Sequence, residues 1–263
     1  RPGDTVGSLL RLEAGGREKD IAVRHGAPLG EGAYRVYAKW FERGATVLGD
    51  GRDAGDDWNM FQAGFRAERT NGDHRFNLQG DFQRATLRFL DGDDTDFDGA
   101  NLLASWAHAG PRVETRLHVY FDRVDRGEPP SGIAFDIDTW DIELQQSADL
   151  GRRHQLMWGL GRRNYDYRTR NNVLAFEPNH RDLRVTNLFV QDGIALTRKL
   201  KLTAGVKLED NIYSGWEVLP DVRLSWSPTD STLLWVAGSR AVRAPTTFDT
   251  DVQEWVNGTL FLT

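Results

Sequence analysis

The sequence predicts an all-β fold, an antiparallel up-and-down transmembrane β-barrel. Three observations predict it: strands with unlike faces, strand lengths that suit a bilayer, and connections that alternate between short and long. The stretch Leu183–Pro245 shows the pattern most plainly, as strands separated by tight turns. Between positions 200 and 208 the even residues are leucine, alanine or valine, and the odd ones are lysine, threonine or glycine. Such a period of two indicates a strand between two different surroundings.

The alternation and the turn residues predict about thirteen strands along the chain. In the first half the predicted strands are Val6–Ala14, Ile21–Gly26, Tyr34–Phe41, Trp58–Glu68, Arg75–Arg84, Asn101–Ala109 and Val113–Arg123. They continue with Ile137–Ser147, Gln155–Tyr167, three strands between Leu183 and Trp226, and a last strand from about Thr232, whose alternation is poor. No segment of useful length has the helical period, so we expect no substantial helix.

The predicted connections fall into two sets. One set is short and contains turn residues, as at Gly30-Glu31-Gly32, Asn71-Gly72-Asp73, Gly110-Pro111, Leu150-Gly151-Arg152, Arg198-Lys199 and Pro228-Thr229. The other set is mostly longer: Gly44–Asp57, Phe89–Gly99, Val124–Gly132 and Arg168–Asp182. Tight turns at one end and long loops at the other are typical of up-and-down outer-membrane barrels.

Composition excludes several classes of function. The net charge of the 263 residues is −6, without the basic patch that nucleic-acid binding requires. The absence of cysteine excludes disulfides and thiolate chemistry. Neither Gly-x-Gly pair has the third glycine of a dinucleotide site, so we expect no cofactor. The chain begins at Arg1 without a signal peptide and stops in mid-pattern, so we expect a fragment of a longer protein.

A membrane wall and a soluble sheet both alternate, and strand length favours the wall. Many predicted strands alternate over about 9–11 residues, the length that a tilted strand needs to cross a bilayer. Tryptophans lie toward the ends of apolar faces at positions 40, 140, 216 and 226, where the two water–lipid boundaries are expected. A soluble β-sheet enzyme or carbohydrate-binding module remains the alternative.

Four segments carry a resemblance to a known family. The segments Phe189–Ile194, Leu202–Glu209 and Ser239–Pro245 resemble the barrel of TonB-dependent outer-membrane receptors, and Gly32–Arg43 is similar to that family's first barrel strands. The residues that carry the motif are Gln191, Asp192, Ser239, Arg240, Arg243 and Pro245. One departure is Gly193, where the family often has an acidic residue.

The resemblance implies a bacterial outer-membrane receptor for a scarce solute, most often a ferric siderophore or other iron complex. Its implied partners are this small-molecule ligand, the lipid bilayer and the inner-membrane TonB complex, which acts through a plug domain. Residues 1–263 would all belong to a barrel of about 22 strands, and we find no plug in them. The family implies no enzyme. A passive porin-like channel, which would share the wall and lack a plug, remains a second alternative.

Among the predicted long loops, Arg168–Asp182 is the candidate for contact with a ligand. It mixes basic, amide, aromatic and imidazole side chains, although a solvated loop would have the same composition. The candidate ligand-binding residues are Arg168, Arg170, Asn171, Asn172, Phe176, His180 and Arg181.

A second candidate is a calcium site at Asp94, Asp96 and Asp98. Oxygen ligands at alternate positions followed by Gly99 suit Ca²⁺. However, the twelfth position is Ser105 instead of glutamate, and flanking helices are missing, so a solvated acidic loop is the favoured interpretation.

Overall fold

The computed structural model describes residues 1–89, 94–127, 133–171, 174–256 and 259–262. Within these residues, thirteen antiparallel strands form one sheet in the order in which they occur in the chain. The strands are β1 Gly7–Ala14, β2 Glu18–Leu29, β3 Gly32–Arg43, β4 Trp58–Asn71, β5 His74–Leu87, β6 Thr95–Ala109, β7 Val113–Arg126, β8 Ile133–Leu150, β9 His154–Asn171, β11 His180–Ala195, β12 Leu200–Asn211, β13 Gly215–Thr229 and β14 Thr232–Ser239. One short strand, β10 (Leu174–Phe176), lies between β9 and β11 in the chain but belongs to a second sheet. Among the described residues, no helix has the length and apolarity needed to cross a bilayer.

The predicted antiparallel fold is confirmed, but the strands are longer than the alternation indicated. β6 begins at Thr95 instead of Asn101, and β8 spans Ile133–Leu150 instead of Ile137–Ser147. The residues added to β6 and β8 mix apolar and polar types and do not sustain the alternation of period two. Because the hydrogen-bonded ladder needs no apolar side chain, the strands continue past the point where the apolar pattern stops.

A second, smaller sheet corrects the prediction of one open loop over Arg168–Asp182. The two ends of this range belong to β9 and β11. Between them β10 (Leu174–Phe176) pairs with β15 (Val252–Val256), which pairs with β16 (Thr259–Leu262). A four-residue helix, α1 (Thr247–Thr250), precedes β15. These elements are too short to show a period in the sequence.

The connections of the large sheet alternate as predicted. At one end the strands are joined by two to four residues, at 30–31, 72–73, 110–112, 151–153, 196–199 and 230–231. At the other end, the long-connection end, the joints are 44–57, 88–94, 127–132 and 172–179, with shorter ones at 15–17 and 212–214.

The two faces of the sheet differ in chemistry. One cross-strand row on the apolar face runs through Leu117, Leu144, Leu160, Leu188, Leu208 and Val218. The intervening residues form the polar face. Because the pairing is in register over all six strands, the apolar residues of each strand join into one continuous surface.

The molecule has far more surface than a compact protein of its mass. Its accessible area is 17076 Å², whereas a soluble 29.7 kDa protein exposes about 11,600 Å². The buried hydrophobic residues among those described are Ala33, Ala54, Ala85, Ala134, Tyr167 and Val252. So small a core does not support the soluble β-module alternative. The exposed apolar face is instead what a lipid-facing wall requires.

Candidate ligand site at the long-connection end

A cavity of about 500 Å³ opens on the polar face at the long-connection end. Its floor is the end of β8, β9 and β11, and its rim includes β10 and the segment before α1. The lining side chains are largely aromatic or aliphatic: Phe135, Ile137, Tyr165, Tyr167, Phe176, Leu183, Val185, Tyr213 and Pro245. An apolar cavity with a few polar groups is the usual form of a small-molecule site.

Strand alternation explains why these residues converge. Tyr165 lies opposite Leu183 on β11 and Thr139 on β8, and Tyr167 lies opposite Ile137. Odd-numbered residues of β8, β9 and β11 therefore share the polar face. Toward the short-turn end the same face carries residues such as Glu143 and Gln145. Along β8, β9 and β11 the sequence thus places an aromatic and aliphatic patch near the long-connection end of this face.

A buried carboxylate joins the small sheet to the large one. The Asp251 side chain is 1% exposed. It accepts hydrogen bonds from the Tyr167 hydroxyl at 2.9 Å and from the Arg181 guanidinium at 2.7 Å. The Tyr213 and Thr250 hydroxyls lie within 3.4 Å and 3.0 Å of it. Burial is the main cause that raises the pKa of Tyr213, which keeps this hydroxyl protonated as a donor.

The segment that bears Asp251 begins with a capped helix. The Thr246 hydroxyl accepts a hydrogen bond from the Asp249 backbone N–H, and the Asp249 carboxylate accepts one from the Thr246 backbone N–H. Arg243 donates to both Asp249 oxygens at 2.8 and 2.9 Å. The hydrogen bonds from Thr246, followed by that of Arg243, lower the pKa of Asp249. These contacts fix the chain between Pro245 and Asp251 at the cavity rim.

The structure divides the predicted ligand-binding residues between the two faces. Phe176 lines the cavity, and Arg181 reaches Asp251 beside it. Arg168, Arg170 and His180 project from the opposite face, where each has an acidic neighbour: Asp166 at 3.7 Å from Arg168 and 3.3 Å from His180, and Asp136 at 3.6 Å from Arg170. Only the backbone of Asn171 is described, and Asn172 lies outside the described residues.

Asp192 and Arg240 of the family motif contact side chains or backbone of neighbouring strands. Gln191 and Asp192 lie in β11, where the Asp192 carboxylate is 2.6 Å from His154 Nδ1. Ser239 ends β14 opposite Asp221. Arg240 donates to the Val218 carbonyl and the Glu217 carboxylate at 2.6 and 2.7 Å, so it ties the end of β14 to β13.

The three carboxylates of the calcium prediction face side chains of β5 or of Arg88, the residue that follows it. Asp98 accepts two hydrogen bonds from Arg84, at 2.6 and 3.0 Å, and Asp96 accepts one from Thr86 at 2.9 Å. Asp94 lies 3.6 Å from Arg88. Asp96 and Asp98 belong to a strand, which spaces their side chains along one face. Among the described residues, the groups whose ligand atoms could share a metal are instead Asp166–His180–Asp182 and Glu13–Glu18–Asp20.

Sequence reasoning missed most of the cavity. Tyr165, Leu183 and Val185 lie in predicted strands and Tyr213 follows one, and nothing in their spacing marks them as a site. Asp251 lies 70 residues from Arg181 and 84 from Tyr167 in the chain. The one usable signal was the change from polar to apolar residues along the polar face of β9 and β11.

An up-and-down antiparallel sheet with an apolar exposed face, a polar opposite face and long connections at one end is the architecture of an outer-membrane β-barrel wall. The family model described as "TonB dependent receptor-like, beta-barrel" matches residues 15–260. The chain belongs to this family of outer-membrane proteins, and it resides in the bacterial outer membrane. No curated protein matches the sequence.

Solved structures share the fold at low sequence identity. The siderophore receptor PirA from Pseudomonas aeruginosa aligns with a TM-score of 0.68 and 14% identity over 87% of this chain and 40% of its own. The ferric enterobactin receptor PfeA from the same organism aligns with a TM-score of 0.68 and 12% identity, over 92% of this chain and 44% of its own. The copper transporter OprC aligns with a TM-score of 0.63 and 16% identity, over 91% of this chain and 45% of its own. The chain thus spans less than half the length of these structures.

Proposed function

We propose that the chain forms part of the barrel of a TonB-dependent receptor that takes up a ferric siderophore or another iron complex. Residues 1–263 would all be barrel, and the TonB complex would act through a plug domain that these residues do not supply. No catalytic step is proposed. Structural neighbours whose names specify a siderophore or ferric enterobactin support the iron complex as cargo.

The observation that carries this proposal is the cavity beside the long connections. Tyr165, Phe176 and Tyr213 offer flat aromatic faces to an organic ligand, while Leu183 and Val185 offer apolar contact. Aromatic side chains give large contact areas at low entropic cost, with a polar group at the edge of tyrosine. An iron complex with aromatic ligands matches this lining.

The test uses the full-length protein in cells that lack other iron receptors, with a ⁵⁵Fe-labelled catecholate complex as the probe. We expect uptake to require TonB. Replacement of two cavity aromatics, Tyr165→Ala with Phe176→Ala, should weaken binding by about tenfold or more.

The matched control is Arg168→Ala with His180→Ala, on β9 and β11 near the cavity but on the opposite face, and it should bind normally. Uptake without TonB would identify a passive channel instead. A loss of binding in the control pair alone would place the ligand on the other face and overturn the assignment of the cavity.

A further inference from the structure

A hollow of about 700 Å³ lies on the apolar face, beyond the row of leucines and toward the long-connection end. Two steps beyond Leu144, Leu160 and Leu188, the cross-strand row reads Trp140, Asn164 and Arg184. The row between these two contains Ile142 and Arg162. The hollow therefore begins where the lipid-facing surface changes from aliphatic to charged.

Two arginines in this hollow lack an acidic partner. Arg162 and Arg184 are exposed, and within the described part of the chain neither lies within ion-pair distance of a carboxylate. Arg162 Nε donates to Asn164 Oδ1 at 3.2 Å, which turns its guanidinium away from the leucines. Asn164 lies directly opposite Arg184, and the two arginines and this amide all line the hollow.

The carboxylates of the hollow lie one row further from the leucines. Asp138, Asp166 and Asp182 form that row. The first two have basic neighbours: Arg123 at 3.8 Å from Asp138, and Arg168 and His180 at 3.7 and 3.3 Å from Asp166. Asp182 faces the hollow without an ion pair among the described residues. Among the described charged groups of the hollow, Arg162, Arg184 and Asp182 are thus without an ion pair, and the two arginines lie nearer the apolar surface than Asp182 does.

We propose that this hollow binds the phosphorylated headgroup of an outer-leaflet lipid, with Arg162, Arg184 and Asn164 as the donors. The site is continuous with the lipid-facing surface, so the acyl chains would lie on the leucine rows while the phosphate meets the guanidinium groups. Guanidinium groups bind phosphate oxygens in a bidentate manner, and long basic side chains at this depth extend toward headgroups. Trp140, 55% exposed, lies beside them at the level where interfacial tryptophans concentrate.

The experiment measures lipid binding to the full-length protein in a neutral detergent by native mass spectrometry. The probes are phosphatidic acid and a diacylglycerol with the same acyl chains. The wild-type protein should prefer phosphatidic acid, and Arg162→Gln with Arg184→Gln should weaken that binding by about tenfold or more, because two charge-assisted contacts are lost. Binding of diacylglycerol should not change.

The matched control is Arg75→Gln with Arg223→Gln, which removes the same charge from exposed positions on the polar face, and it should bind as the wild type does. Arg162→Lys with Arg184→Lys keeps the charge but loses the planar guanidinium group. Its affinity for phosphatidic acid should lie between those of the wild type and the glutamine pair. Equal binding by the wild type and the glutamine pair would overturn the proposal, as would an equal loss in the control. Displacement of the lipid by excess inorganic phosphate would show a site for a free anion and overturn the assignment to a lipid.

Discussion

At the scale of single residues, close packing on the polar face depends on a glycine between two larger side chains. Gly64 pairs with Tyr37 on β3 and Asp81 on β5. The Tyr37 hydroxyl donates to the Asp81 carboxylate across it. A Cβ atom at Gly64 would lie 2.8 Å from Tyr37 Cε1 and also collide with Asp81. Glycine is therefore required here by the close approach of its neighbours.

Gly64→Ala should lower the free energy of unfolding by about 1–3 kcal/mol, because the Tyr37 ring must move and its hydrogen bond is strained. Denaturant unfolding of the protein in detergent micelles measures this. Gly238→Ala is the control, since a Cβ there meets no atom within 4 Å, and it should leave stability within about 0.5 kcal/mol of the wild type. Equal stability of the two variants would contradict the role given to Gly64.

This arrangement also marks a limit of prediction from sequence. Alternation identifies Tyr37, Gly64 and Asp81 as members of predicted strands, and the strands are confirmed. It does not specify which residue of β3 faces which residue of β5, because that depends on the register across the intervening β4. The contact therefore appears only when all three strands are paired.

At the scale of elements, the small sheet is fastened to the large one by Asp251. Its carboxylate receives donors from β9 and β11, and its backbone carbonyl accepts from the Glu177 N–H at 2.8 Å. Loss of the carboxylate would leave the Arg181 and Tyr167 donors without this acceptor. Unmade hydrogen bonds of buried groups are costly, so the attachment depends strongly on this one side chain.

Asp251→Ala should make local opening of residues 246–253 easier by about 1–3 kcal/mol, without a change in the thirteen-stranded sheet. Hydrogen exchange read by mass spectrometry distinguishes the two regions. Asp230→Ala, in an exposed turn at the opposite end, is the control and should exchange as the wild type does. Exchange that stays slow in 246–253 after the Asp251 change would show that other contacts hold the segment.

The elements differ in how well the sequence predicts them. The long strands β1 to β9 and β11 to β13 were predicted because each carries its own alternation of apolar and polar residues, whereas the alternation of β14 is poor. The full lengths of several strands were not, since the alternation stops before the strand ends while the hydrogen-bonded ladder continues. β10, β15 and β16 hold three to five residues each, and their pairing joins chain segments far apart in sequence, which no local pattern records. The cavity was missed because it too forms between chain segments that are far apart in sequence.

At the scale of the whole molecule, the large area of exposed apolar surface determines behaviour in solution. Outward-facing residues such as Trp216, Val218 and Trp226 are 66%, 51% and 48% exposed. In the described residues, β1 and β14 each pair on one side only. Unpaired edges and a wide apolar face both promote association in water.

The 263-residue chain expressed by itself should therefore be insoluble without detergent and should acquire β-structure only in detergent or lipid. Sedimentation together with circular dichroism, with and without micelles, measures both properties. A soluble monomer that unfolds cooperatively without detergent would contradict the exposed apolar face as a lipid contact.

The order of the strands has a consequence for how the sheet assembles. Nearly every pair in the large sheet joins strands that are neighbours in the chain, and the longest connection between paired strands whose residues are all described is 44–57. The entropic cost of closing such short loops is small and grows slowly with length. Folding can therefore advance along the chain one hairpin at a time, with each finished strand serving as the template for the next. The newest strand is the edge that a membrane-insertion apparatus would have to shield until its partner arrives.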